Sequence, residues 1–344
     1  MAPENANPSR SGTIQAVAVG LAFAVGLAAA PVSIVDGKAV VEGGACSALS
    51  VRVQGAGAAL LGECSAQAGK LVFTPRFPFR PGVAYEAVIA GAAFPFKVAK
   101  PDTAPARVVA VYPTSDRIPD NQLKFYIQFS APMSRGEVYQ RVRLIDERGE
   151  SAPHAFLELD QELWNREMTR VTLLFDPGRL KRGVRPNRDE GAPLREGERY
   201  ALIVDGAWPD GNGNPIGDGF RKEFTVAASD RTPIDTAKWA IVAPKAGTRD
   251  PLVIRFGEPL DRAMLDSAIR VPGVEGDIEP RANETEWTFT PQRAWKAGAY
   301  TIEVDTTLED LAGNKIGREF DIDTRDQRAR QMERGWKKLL FRIN

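Results

Sequence analysis

The chain has 344 residues, 43% of them apolar and 26% charged, with 45 Lys plus Arg matched by 45 Asp plus Glu. That length suggests two or three domains, each able to bury a core. The formal net charge of zero lacks the basic excess by which a nucleic-acid binder is usually recognised.

The first element in chain order is Ile14–Ala30 (IQAVAVGLAFAVGLAAA), apolar apart from Gln15 and preceded by Arg10. A basic start, an apolar middle and a small-residue end read as a secretory signal. Pro31 makes cleavage after Ala28 more favourable than cleavage after Ala30. The competing reading is an uncleaved anchor, because a run of about 17 residues lies at the lower limit for crossing a bilayer. A buried core helix fits worse, since the alanine and glycine run has no polar face. Residues 1–30 are therefore expected to be a hydrophobic helix acting as signal peptide or anchor.

The two cysteines, Cys46 and Cys64, flank Leu49-Ser-Val-Arg-Val53, which alternates like a strand. Export permits a disulfide. Cys46 and Cys64 are expected to form one, stapling adjacent strands; two free buried thiols are the alternative. No cysteine directly follows the apolar stretch, which argues against a lipid-anchored N-terminus.

Internal repetition organises the rest. Residues 204–217 read VDGAWPDGNGNPIG and residues 304–317 read VDTTLEDLAGNKIG. Val204, Asp205, Asp210, Gly213, Asn214, Ile216 and Gly217 recur one hundred residues later without a gap. Upstream, Phe175-Asp-Pro177 and Gly197-Glu-Arg-Tyr200 match Phe289-Thr-Pro291 and Gly298-Ala-Tyr300. Further upstream, Phe129-Ser-Ala-Pro-Met133 matches Phe256-Gly-Glu-Pro-Leu260, with short helical turns expected just after each. Downstream, Phe224 and Phe320 are each expected to open a short final strand. A decayed copy precedes these, with Leu71-Val-Phe-Thr-Pro75, Pro81-Gly-Val-Ala-Tyr85 and Phe94-Pro-Phe-Lys-Val98, but without the Asp-x-x-Gly-Asn turn. The β-branched and aromatic runs, broken by Asp, Asn and Gly turns, are the pattern of an antiparallel sandwich. The tyrosine after each turn glycine suggests a tyrosine corner.

After Thr324 the charge balance breaks. Arg325, Arg328, Arg330, Arg334, Lys337, Lys338 and Arg342 face only Asp326 and Glu333. Met332, Trp336, Leu339 and Leu340 follow helical spacing, so residues 325–344 are expected to form a short basic amphipathic helix.

Taken in order, Phe-Ser-Ala-Pro-Met, Phe-Asp-Pro, Gly-x-x-Tyr, Asp-x-x-Gly-Asn and a closing phenylalanine resemble the bacterial Ig-like module of surface-layer proteins, the SbsA-type Ig-like domain. The resemblance covers residues 105–324 well and residues 32–99 weakly. It implies an all-β chain of three tandem immunoglobulin-like sandwiches, at 31–99, at 105–227 with an insertion at 181–195, and at 235–324. It also implies a spacer or scaffold found in exported and envelope proteins, and no single activity.

A search for chemistry gives little. His154, the single histidine, sits in a polar turn and would have to serve any Ser-His-Asp arrangement; no Gly-x-Ser-x-Gly elbow accompanies it. No zinc spacing, phosphate loop or dinucleotide fingerprint is present. Asp205, Asp210, Asn212 and Asn214, with their repeats Asp305, Asp310 and Asn314, could offer oxygen ligands to calcium. Without the EF-hand spacing, Asx-turn chemistry is the stronger reading. No catalytic, cofactor-binding or metal residue is therefore assigned, and the chain is not expected to be an enzyme. The insertion 181–195 is a long loop suited to recognition. Trp164 and Trp208 could stack on sugar rings or cover module interfaces.

The expected role is that of an exported envelope scaffold or spacer, periplasmic or at the cell surface, contacting an unknown envelope protein or surface polymer. No nucleic acid is expected; membrane association would run through the N-terminal segment or the basic tail. The competing role is a carbohydrate- or surface-binding adhesin-like module, which would need a planar row of exposed aromatics.

Overall fold

The computed structural model describes residues 32–152, 154–183, 185–320 and 335–344. The expected N-terminal helix and residues 325–334 of the tail lie outside them. The described chain is mostly β-sheet with a few short helices. It falls into two compact units, one running to Phe79 and including Val83–Lys97, the other comprising Arg80–Gly82 and Val98–Asn344.

The first unit holds β1 (Ser33–Val35), β2 (Lys38–Glu42), β3 (Leu49–Val53), β4 (Gly62–Gln67), β5 (Lys70–Pro75), β6 (Ala84–Ile89) and β7 (Ala92–Lys97). They form two antiparallel sheets, ordered β1-β2-β5-β4 and β3-β6-β7. Alternation decides the inner faces: Ala39 and Val41 on β2, and Leu71 and Phe73 on β5, are buried. Phe79 joins the core between the Tyr85 and Phe96 rings, at 4.9 and 5.5 Å. The β4–β5 and β6–β7 hairpins turn on Ala68-Gly69 and Ala90-Gly91, all four residues at positive φ, as two-residue hairpins of this twist require. Cys46 and Cys64 are joined, with Cα atoms 5.6 Å apart. Cys46 precedes β3 and Cys64 lies on β4, so the bridge ties one sheet to the other rather than adjacent strands of one sheet.

The second unit begins with β8 (Val108–Tyr112), β9 (Arg117–Pro119), β10 (Lys124–Phe129), α1 (Val138–Arg141), β11 (Val142–Asp146), β12 (Leu163–Trp164), β13 (Arg170–Leu174), α2 (Pro177–Leu180), α3 (Arg185–Glu190), β14 (Arg199–Val204) and β15 (Phe220–Ala227). Sheets β12-β13-β10-β8 and β11-β14-β15-β9 enclose Phe125, Ile127, Phe129, Leu173, Phe175, Leu202 and Trp208, all fully buried. The insertion follows α2 directly, contains α3 and buries Leu194 in this core. Asp176 starts α2 by accepting the Gly178 amide.

The unit continues with β16 (Ala240–Val242), β17 (Leu252–Arg255), α4 (Arg262–Leu265), β18 (Ile269–Arg270), β19 (Gly276–Arg281), β20 (Glu286–Pro291), β21 (Gly298–Asp305) and β22 (Trp336–Ile343). Sheets β16-β17-β20-β19 and β18-β21-β22 close over Leu252, Ile254, Trp287, Ile302 and Val304. Tyr300 makes the expected corner, its hydroxyl donating to the Lys296 carbonyl at 3.1 Å; that of Tyr200 donates instead to Glu198.

Two expectations fail at the C-terminus. Trp336–Ile343 is a strand paired with β21 along eight residues, not a helix. Phe341, not Phe320, takes the place of Phe224: it stacks on Tyr300 at 5.5 Å, as Phe224 stacks on Tyr200 at 6.1 Å. Phe320 lies outside any strand and packs, with Leu311, against the core of the preceding sandwich. The reason is a competition of periods. Leu339, Phe341 and Ile343 recur every second residue and face the core, and β21 supplies hydrogen bonds that a short isolated helix in water does not outweigh.

Candidate functional site

The turns singled out in the sequence are backbone devices. Asp210 Oδ1 accepts the amides of Asn212 and Asn214 at 2.8 and 2.9 Å. Asp310 Oδ1 accepts those of Ala312 and Asn314 at the same distances. Gly213 and Gly313 take φ of 77° and 82°, open to glycine at no steric cost. Each turn pairs with the Pro-Met or Pro-Leu segment of its own sandwich, through Met133–Asp210 and Leu260–Asp310. Asp205 and Asp305 lie apart from this, accepting the amides of Ala207 and Thr307. These acids and amides form Asx-turns, not one ligand cage.

The remaining sequence candidates are scattered. His154 is exposed, and its carbonyl accepts Arg179 Nη1 at 2.8 Å. Trp208 is fully buried and Trp164 packs on it at 5.9 Å, inside one sandwich. Neither tryptophan forms a sugar platform or covers an interface between sandwiches; their apolar rings fill the gap between two sheets, where burial is more favourable than exposure.

What tertiary structure adds is a polar junction between the two sandwiches of the second unit. Lys124 on β10 reaches Asp261 at 2.8 Å and Glu309 at 2.7 Å. Tyr126, on the same face two residues on, donates its hydroxyl to Asp261 at 2.8 Å. Asp261 is almost fully buried and also starts α4 by accepting the Met264 amide. Burial alone would lower the Lys124 pKa, but the charges of Asp261 and Glu309 raise it overall, so the ammonium persists. Burial and Asp261 both raise the Tyr126 pKa, so the phenol keeps its proton. Beside this, the Leu123 amide donates to the Leu311 carbonyl at 2.9 Å, and Glu284 accepts the Thr114 amide and hydroxyl at 2.9 and 2.8 Å.

At the same junction three carboxylates converge: Asp230, Glu258 and Asp310, with oxygens within 4.8 Å of one another. Asp230 is held by Asn121, which donates to its carbonyl at 2.6 Å and accepts its amide at 2.9 Å. Burial pushes Asp310 up to about 7, with Asn314 opposing and Asp230 and Glu258 adding. Burial pushes Glu258 up to about 7 as well, with Asp230 adding and Lys238 opposing. Among the described residues these are the acids close enough to share an oxygen-liganded cation. Asp310, however, already gives Oδ1 to two amides and Oδ2 to Asn314. The sequence pointed to Asp310 through its turn; Glu258 and Asp230 carried no signal of joining it.

A third feature is an open groove of 770 Å³ on the outer face of β14, β15 and β9, lined by Arg117, Arg199, Arg221, Glu196 and Glu223 among others. Two of its arginines pair locally, Arg221 with Glu223 at 2.8 Å and Arg199 with Glu147 at 3.6 Å. It presents a mixed polar surface with no aromatic row.

No family model matches the chain, and no curated protein matches it. Among solved structures the chain is similar to native alpha-2-macroglobulin from Escherichia coli, at 9% identity and TM-score 0.23 over 69% of this chain and 71% of that one. It is similar to the N-terminal part of the bacterial S-layer protein SbsC, at 10% identity and TM-score 0.25 over 70% of this chain and 44% of that one. It is also similar to a three-domain immunoglobulin segment of titin, at 8% identity and TM-score 0.19 over 90% and 92%.

Proposed function

We propose that this chain is a non-catalytic, exported cell-envelope scaffold or spacer: three tandem immunoglobulin-like modules of the SbsA type that hold a protein or surface partner at a set distance. The observation that carries the reading is the junction of the second unit. Two sandwiches joined by Lys124, Asp261, Glu309 and Tyr126, with Leu311 and Phe320 of one packed on the core of the other, behave as one stiff piece. Interfaces between domains of one chain allow relative motion unless they are extensive, and a buried ion pair with additional hydrogen bonds resists rearrangement. Stiffness serves a spacer. The disulfide fits an oxidising compartment, in accord with the signal-like residues 14–30, and the site of action is periplasmic or cell-surface.

Cell fractionation combined with pull-down from envelope extract tests the reading. The chain is expected in the envelope or exported fraction, oxidised at Cys46 and Cys64, with one or a few envelope partners retained. Recovery in the cytosolic fraction with reduced thiols would overturn it.

A further inference from the structure

Among the described residues β22 is an outer strand. Its described sheet neighbour is β21, whereas β15, its counterpart in the preceding sandwich, is flanked by β14 and by β9. The Thr306 amide donates to the Gly335 carbonyl at 2.9 Å, and these two residues stand opposite each other one step beyond the Asp305–Trp336 pair. Opposed residues of an antiparallel pair alternate between exchanging hydrogen bonds and not. Lys337, Leu339, Phe341 and Ile343 therefore bond to β21. The amides and carbonyls of Trp336, Lys338, Leu340 and Arg342 point away from it. The side chains of those same four residues are exposed, Leu340 at 78% and Trp336 at 40%. Eight residues pair without proline or bulge. Such an edge is a ready template for another strand.

Charge selects the occupant. β22 carries Lys337, Lys338 and Arg342 and no acid. Lys338 reaches Glu303 at 3.8 Å, while Lys337 and Arg342 have no ion-pair partner among the described residues. Arg270 stacks on Trp336 at 3.9 Å but is paired with Glu303 at 2.7 Å, which leaves Lys338 only the longer contact to that acid. A second copy added edge to edge would set basic side chains beside basic ones, which is unfavourable. We propose that β22 receives an extended acidic strand from a partner protein, with carboxylates beside Lys338 and Arg342 and apolar side chains beside Trp336 and Leu340. The inference deepens the scaffold reading and rests on it for the existence of a protein partner; the binding experiment does not depend on export, so the two fail separately.

The test uses the full chain and two end-blocked synthetic peptides, one with valine and glutamate taking turns at every second position and threonine between them, so that both fall on one face of the strand, and one with lysine in place of the glutamate. Binding is followed by fluorescence polarisation, and amide exchange by NMR. The glutamate peptide is expected to bind, and to slow exchange at Lys338, Leu340 and Arg342 by about tenfold or more. The double variant Lys338→Glu/Arg342→Glu should weaken binding about tenfold, a change of about 1.4 kcal/mol. Should that variant fail to fold, the comparison of peptides on the unaltered chain still decides. Absence of binding, equal binding of the lysine peptide, or binding that leaves those three amides unprotected overturns the proposal. Concentration-dependent protection of the same amides without peptide also overturns it, assigning the edge to a second copy.

Discussion

At the scale of single residues, the carboxylates at the junction set the chain's response to pH. In an unfolded chain Asp and Glu titrate near 4. In the folded protein Glu258 and Asp310 are pushed up to about 7, first by burial and then by acidic neighbours, Asp230 being common to both. Between these values the native state holds more protons than the unfolded one, so stability falls as pH rises through the window. The cluster therefore favours the folded state most below about pH 4 and least above about pH 7. Glu258→Gln removes one charge from the cluster without changing side-chain shape. We expect it to raise the melting temperature near pH 7.5, to change it little near pH 5, and so to flatten the slope between. A slope equal to that of the unaltered chain would show that these acids titrate normally.

At the scale of elements, β22 and the disulfide decide integrity. Phe341 is buried between Tyr300 and Trp295, with ring centroids at 5.5 and 6.3 Å, so Phe341→Ala should cost about 3 kcal/mol by transfer and cavity terms together. Deleting residues 325–344 removes the strand outright, and calorimetry should show the last sandwich melting many degrees lower. A fragment of residues 235–324 should give no cooperative transition for the same reason. An unchanged melting curve after the deletion would mean that β22 adds nothing to the core. In the first unit the bridge closes 18 residues of sequence. Reduction or Cys46→Ser/Cys64→Ser should lower that unit's stability by about 2–4 kcal/mol and leave the second unit's transition in place. Loss of both transitions together would contradict this.

At the scale of the whole second unit, the junction predicts cooperativity. Two sandwiches sharing Lys124, Asp261 and Glu309 should unfold in one calorimetric transition. Asp261→Ala takes one of the two carboxylates from Lys124, the acceptor from Tyr126 and the cap from α4. Breaking a buried pair on one side is costly, roughly 3 kcal/mol, and the single transition should separate into two. Retention of one transition with an unchanged midpoint would show that the apolar contacts of Leu311 and Phe320 alone couple the sandwiches.

The sequence by itself determined the strand-rich character, the repeat at 204–217 and 304–317, and the Asx-turns built on Asp210 and Asp310. These follow from local rules: alternation of apolar residues, the left-handed freedom of glycine, and carboxylates that accept nearby amides. It misplaced Trp164 and Trp208, assigned Phe320 the place of Phe341, and read the tail as a helix. Only the tertiary structure brought Asp230, Glu258 and Asp310 together, set Lys124 between two acids of the next sandwich, and recruited Trp336–Ile343 as a strand. Each depends on partners far apart in sequence: a two-residue and a helical period overlap in the tail, and the open edge of β21 resolves them, while a buried charge is tolerated only where the fold delivers its counter-charge.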